Sequence, residues 1–192
     1  NIPVTGALTI PQVADGDGGG FAFTTSITIV NNDVVPIRVS LRFFQRNPGL
    51  TTTRTWTPSM QNNAAIDNVE IKAGASFTWR TTGTDPFAQG WAEVQASGRV
   101  SGFAVFQQRV PGRSDQEAAV PVNAGAQQHF LLPFDNTDKF ATTMALVNFS
   151  TTDNATINVV FRDSQNVIIS SEQITLPARG HDAFSLFERF PA

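Results

Sequence analysis

The 192 residues carry 13 basic and 16 acidic side chains, for a net charge of −3, and include no cysteine; 41% are hydrophobic and only 15% are charged. This composition excludes disulfides, thiolate metal sites and a cysteine nucleophile, and the scattered charge offers no basic patch to nucleic acid. No apolar run is long enough to cross a bilayer as a helix, and no polybasic amphipathic stretch points to a membrane surface.

In chain order, Ile2–Val13 reads as an extended segment that Pro3 and Pro11 restrict to an edge or irregular strand. Asp15–Gly20, DGDGGG, reads as a flexible loop. Phe21–Asn31 alternates as a strand. So does Val35–Phe44, with Ile37, Val39, Leu41 and Phe43 on one face and Arg38, Ser40 and Arg42 on the other. Asn47-Pro48-Gly49 is a turn, and Leu50–Asn68 a polar loop with one short strand near Thr53–Thr57. Two strands flank Ala73-Gly74-Ala75. Trp91–Phe106 then reads as a β-hairpin turned at Ser97-Gly98, where glycine admits positive φ. No helical period persists over ten residues; a single helical turn is expected near Ser185–Arg189. Short strands with frequent turn signals predict antiparallel β-sandwiches.

The second part of the chain parallels the first. VPV at 120–122 matches IPV at 2–4, and Leu132-Pro133 matches Ile10-Pro11. MALVN (144–148) matches SITIVN (26–31), INVVFRD (157–163) matches IRVSLRF (37–43), and LPARGHDAFSL (176–186) matches IKAGASFTW (71–79), with Gly180 standing for Gly74. The segments recur in order at a spacing of roughly 105 to 122 residues, the signature of an internal repeat. The expected architecture is all-β: two tandem immunoglobulin-like sandwich units, 1–118 and 119–192, the second without a counterpart of the Trp91–Val110 hairpin. A sandwich lacking a hairpin leaves a strand edge and an apolar face. The first unit, another chain, or a longer polypeptide are the three ways to close it.

GWAEV (90–94), GFAVFQQ (102–108), PGRSDQEAAVPV (111–122), LPFDNT (132–137), ALVN (145–148) and LPARGHDAFSL (176–186) together resemble the immunoglobulin-like β-sandwich repeats of large secreted bacterial proteins. The resemblance runs from about Ile10 to Pro191. It implies export to the cell envelope or exterior and a noncatalytic structural or adhesive role, with no cofactor and no site residues to transfer. The partner it implies is a protein or polysaccharide at the cell surface, and an open sheet edge also suits a homo-oligomer.

Several residue groups invite chemistry. A hydrolase needs a nucleophile with an oriented base, yet His129 and His181 accompany no G-x-S-x-G elbow, and His181 reads as a polar turn residue. Glu70, Glu93 and Glu117 are the carboxylates a glycosidase reading would draw on, at separations sequence does not supply. Asp15 and Asp17, with Asp135 and Asp138 in the matching loop, are weak calcium candidates; Ser26 stands where an EF-hand needs its bidentate Glu. The three tryptophans are Trp56, Trp79 and Trp91, among 16 phenylalanines and no tyrosine. Trp56, in a polar loop, and Trp91, on a strand face with Glu93 and Gln95, are the candidates for stacking on a sugar ring. Asn148 and Asn154 head N-x-S/T triplets.

Overall fold

A computed structural model describes residues 8–124, 129–135 and 141–190. The strands are β1 Leu8–Asp17, β2 Ala22–Asn31, β3 Ile37–Arg46, β4 Thr53–Trp56, β5 Val69–Ile71, β6 Ser76–Arg80, β7 Ala88–Ala96, β8 Val100–Arg109, β9 Gln116–Pro121, β10 Asn123–Ala124, β11 Thr143–Val147, β12 Ala155–Arg162, β13 Ile168–Leu176 and β14 His181–Ser185. One turn of helix, α1, covers Leu186–Arg189, and a short 3-10 turn covers Gln61–Asn63. The paired strands are antiparallel, so the protein is all-β. It divides into two compact units: Asn1–Gln45 with Arg54–Ala126, and Arg46–Thr53 with Gln127–Ala192.

The first unit is a two-sheet sandwich. One sheet runs β4-β3-β7-β1-β10, with β5 also on β3; the other has β6 and β8 on either side of β2 and β9 beyond β8. β1 feeds both sheets. Its register with β7 slips between Ile10 and Val13, around Pro11, and its last residues Gly16 and Asp17 pair instead with Phe23 and Ala22. Proline has no N–H for the ladder, so the bulge accommodates it inside a central strand. The loop expected at Asp15–Gly20 therefore begins only after Asp17. Ala119, Val120 and Pro121 pair with β8 and complete the first unit, so that unit extends past residue 118.

The alternation of β3 is what the core requires. Ile37, Val39, Leu41 and Phe43 meet Ile27 and Ile29 from β2, Ile10 and Val13 from β1, Val94 from β7 and Trp79 from β6 in one cluster, each no more than 3% exposed. At about 1.5–3 kcal/mol per fully buried large apolar side chain, this cluster is the main stabilising term of the unit.

The Trp91–Phe106 segment is not a hairpin. β7 pairs with β1 and β3 in one sheet, whereas β8 pairs with β2 and β9 in the other. Ser97–Arg99 crosses between sheets. A Gly in a short polar turn looks the same in sequence whether the next strand returns beside the last or crosses the core. Gly98 also has a different task from the one expected: it lies outside the residues with positive φ, and a Cβ there would collide with the Asp33 carboxylate and Ile37 Cγ2. Asp33 is held at that spot by the backbone N–H and Nε of Arg99, both at 2.6 Å.

The second unit contains two strand pairs, β11-β14 and β12-β13. The tip of the β3–β4 turn belongs to it: the His181 N–H donates to the Thr51 carbonyl at 2.9 Å, and Thr53 Oγ1 donates to the Arg179 carbonyl at 2.8 Å. Asp182 accepts from Arg46 at 2.9 Å and from Arg189 at 2.5 Å, and Arg189 continues to Glu172 at 2.7 Å. This chain of charges fastens the turn tip, β14, α1 and β13 to one another.

Candidate functional site

The sequence candidates do not converge. Trp91 is 1% exposed and stacks on Phe44 with ring centroids 4.4 Å apart, leaving no ring face for a sugar. Trp79 is fully buried and donates its indole N–H to the Ala65 carbonyl. Trp56 is half-buried at the end of β4, packed on the core edge-to-face with Phe43. Trp91 is buried although Gln89, Glu93 and Gln95 on the same face of β7 are only half-buried, because its cross-strand neighbour Phe44 stacks on it.

The calcium candidates also part company. Asp15 is wholly buried: Oδ1 accepts the Gly83 N–H at 2.9 Å, and Oδ2 has no hydrogen bond. Burial pushes its carboxyl above the usual carboxylate range; contacts with Thr81 and Gly83 oppose that shift, and neighbouring Asp85 adds to it. Asp17 instead closes a tight turn by accepting the Gly19 N–H at 2.7 Å. Asp135 is exposed and exchanges backbone hydrogen bonds with Thr142 Oγ1, while Asp138 lies outside the described residues. Among the described residues no group of three or more His, Asp or Glu side chains is arranged to hold a metal.

The hydrolase candidates are similarly dispersed. His181, expected in a polar turn, is fully buried at the head of β14 opposite Val147. His129 is exposed. Glu70 is paired with Arg38 at 3.0 Å, Glu93 accepts from Gln95, and Glu117 accepts from Gln107 on the other sheet. The triplet asparagine Asn148 is 7% exposed, and its amide nitrogen is occupied by backbone carbonyls.

That last residue belongs to a feature the motifs did not announce. Asn148 Nδ2 donates to the carbonyls of Asp153, Leu176 and Pro177 at 2.7–3.2 Å, and its Oδ1 accepts the Ser150 N–H. In the first unit Asn31 Nδ2 donates to the carbonyls of Val35, Ile71 and Lys72 at 2.8–3.1 Å, and its Oδ1 accepts the Asp33 N–H. The backbone repeats too: Asn31 N–H donates to Ala75 O, and Asn148 N–H to Gly180 O. The turns these asparagines grip have the same form, with positive φ at Gly74 (67°) and at Arg179 (56°). Gly180 thus matches Ala75 rather than Gly74. The VN shared by SITIVN and MALVN was the visible trace of this latch.

The registers around the latches agree as well. Val30 pairs with Ser76 and Val147 with His181; Ile37 pairs with Ile71 and Ala155 with Leu176. β12 therefore matches β3 with Ala155 at Ile37, Ile157 at Val39, Val159 at Leu41 and Phe161 at Phe43. This alignment is shifted by one alternation from the one that INVVFRD suggested.

What distinguishes the second unit is its surface. Phe130 is 76% exposed and Leu131 is 99% exposed, in the described segment 129–135, which belongs to no strand or helix. Leu132, Phe134, Phe149, Val160, Val167, Ile168, Ile169 and Phe187 are also exposed. Scattered apolar side chains are ordinary on a surface, but these exposed ones are concentrated in the second unit.

No family model matches the chain. No curated protein matches it either. Among solved structures it is similar to the crystal structure of the CsuC-CsuE chaperone-tip adhesion subunit pre-assembly complex from archaic chaperone-usher Csu pili of Acinetobacter baumannii, at 12% identity and a TM-score of 0.27, covering 84% of this chain and 79% of that one. No helix among the described residues is long and apolar enough to cross a membrane.

Proposed function

We propose that the protein is a noncatalytic β-sandwich module of the cell envelope or exterior, built from two duplicated immunoglobulin-like units, which binds a protein through the incompletely covered second unit. The observation that carries this reading is the exposed Phe130-Leu131-Leu132 segment in the unit that contains the two isolated strand pairs. The matching asparagine latches support duplication, because eight side-chain hydrogen bonds with equivalent partners are a stricter test than strand resemblance. The dispersal of the histidines and carboxylates supports a noncatalytic role.

The test is saturable binding to envelope preparations from the source cells. Binding should fall at least tenfold in the L131E/I169E double variant, both positions being exposed. Equal binding by the variant, or turnover of ester or glycoside substrates by the wild-type chain, would count against the reading. A carbohydrate-binding role remains as a second reading on one observation: Trp56 is half-buried, whereas the other two tryptophans are closed off. It predicts polysaccharide-dependent quenching that disappears in Trp56→Ala.

A further inference from the structure

We propose that segment 81–87 of the first unit is a pH-sensitive strap, closed over Asp15 while that carboxyl keeps its proton and lifting from the sandwich as the proton is lost. The segment follows β6 and leads into β7, and its bonds reach three neighbours. The Thr81 N–H donates to the Thr25 carbonyl on β2, the Thr82 N–H to the Ser59 carbonyl, and the Gly83 N–H to Asp15 Oδ1. The Asp85 carbonyl accepts the Asp17 N–H at 2.8 Å, and the Phe87 N–H returns to the Asp17 carbonyl at 3.0 Å. Ser59 donates both its N–H and its hydroxyl to the Asp85 carboxylate. The seat is backbone on backbone, since a Cβ on Gly16 would collide with the carbonyls of Asp85 and Pro86. The strap thus crosses the sandwich where β1 leaves one sheet for the other.

The weak point lies beneath it. Asp15 is fully buried, and its Oδ2 has no hydrogen bond. Such a carboxyl is tolerated as a neutral acid and costly as an anion. Burial favours the neutral form, the hydrogen bonds from Thr81 and Gly83 oppose it, and the like charge of Asp85 favours it again. The other groups around the site do not offset that repulsion. β2 and segment 57–60 contribute the uncharged Thr25 and Ser59, and Ala88 of β7 pairs with Asp15. Asp17 turns its carboxylate to the Gly19 N–H, and Arg80, at the end of β6, is exposed. Lifting the strap admits water to Asp15 and separates it from Asp85, so the lifted state has the more ordinary carboxyl. Closure is therefore complete below the usual carboxylate range and weakens as pH rises through the raised value.

The strap also carries an aromatic ring. Phe87 packs edge-on to Phe21 with centroids 5.0 Å apart and lies 5.5 Å from Phe23, and all three are half-buried. When the strap lifts, Phe87 leaves this cluster and Phe21 and Phe23 gain exposure. Rising pH then uncovers apolar surface at one end of the first unit without unfolding it.

The test is amide hydrogen exchange of the full 192-residue chain between about pH 4 and about pH 8, corrected for the intrinsic pH dependence of exchange. Protection of the Gly83, Phe87 and Asp17 amides should fall about tenfold across that range, the effect of a pKa difference of about one unit between closed and lifted states. Amides in the centres of β2 and β8 should keep theirs. Asp15→Asn should hold the strap amides protected at both ends of the range. Asp85→Asn should shrink the pH effect without removing it. Equal strap protection at both pH values in the wild-type chain overturns the proposal. So does a loss shared evenly with β2 and β8, which would make Asp15 a determinant of global stability alone, and so does a pH effect that survives in Asp15→Asn. Recovery of strap protection at the upper pH on adding millimolar calcium, in the wild-type chain and not in Asp15→Asn, overturns the proton in favour of a cation.

Discussion

Asn31 and Asn148 each hold three backbone carbonyls from one amide nitrogen, in places where water does not reach freely. Replacing either by alanine leaves several acceptors without a donor, and the expected loss is on the order of 2–4 kcal/mol, read from the urea midpoint. If the latches are equivalent, the two substitutions should each destabilise their own unit, and exchange mapping should separate the effects. Asp15 gives a prediction of the opposite kind. The fold prefers its uncharged form, so the folded chain binds this proton more tightly than the unfolded chain does. Its favourable contribution is complete below the ordinary carboxylate pKa and is lost as pH rises through the raised value. Asp15→Asn should therefore raise the melting temperature at pH 7, by an amount equivalent to about 1–3 kcal/mol, and remove that part of the pH dependence. A variant less stable than wild type at pH 7 would show that the carboxylate is used charged. At this scale the sequence was least informative. An Asp in DGDGGG looks like a loop residue, and only the pairing of β1 with β7 up to Asp15 places its side chain inside.

The crossing between β7 and β8 is the element whose local signals misled most. Alternation and a glycine were legible and located both strands to within a few residues, but strand pairing is decided by distant partners. Gly98 is needed because Asp33 and Ile37 press on it, a long-range condition with no local mark. Gly98→Ala should cost about 1–3 kcal/mol through displacement of Asp33 from Arg99, seen as a lowered thermal midpoint. Trp91→Ala should cost about 3–5 kcal/mol, because it empties a site stacked on Phe44. A Trp91 that served only as a binding platform would tolerate that change with almost no loss of stability. The β3 and β12 patterns, by contrast, were readable directly, since a period of two with one apolar face matches a half-buried strand and no helical repeat.

For the whole molecule, the all-β class followed from composition and turn spacing, and the order of similar segments is what prompted the proposal of duplicated units. The extent to which the second unit is covered was not legible, because edge pairing leaves no local pattern in the residues that lack a neighbour. The proportion of half-buried apolar positions in β11 and β12 supplies it. A dye that reports accessible apolar surface should bind the chain at neutral pH without denaturant, and the signal should drop in L131E/I169E. Absence of dye binding would argue that these side chains are covered in solution.

The turn tip at 46–53 has a practical result for anyone wishing to cut the polypeptide in two. Neither unit is an unbroken stretch, because eight residues threaded through the earlier part are counted with the later one. A fragment starting at residue 127 would lack the Thr51 carbonyl that receives the His181 N–H and the Arg46 guanidinium, leaving Asp182 with Arg189 alone. Such a piece should be recovered unfolded, and adding the excised tip as a short peptide is the simplest way to ask whether those contacts restore it.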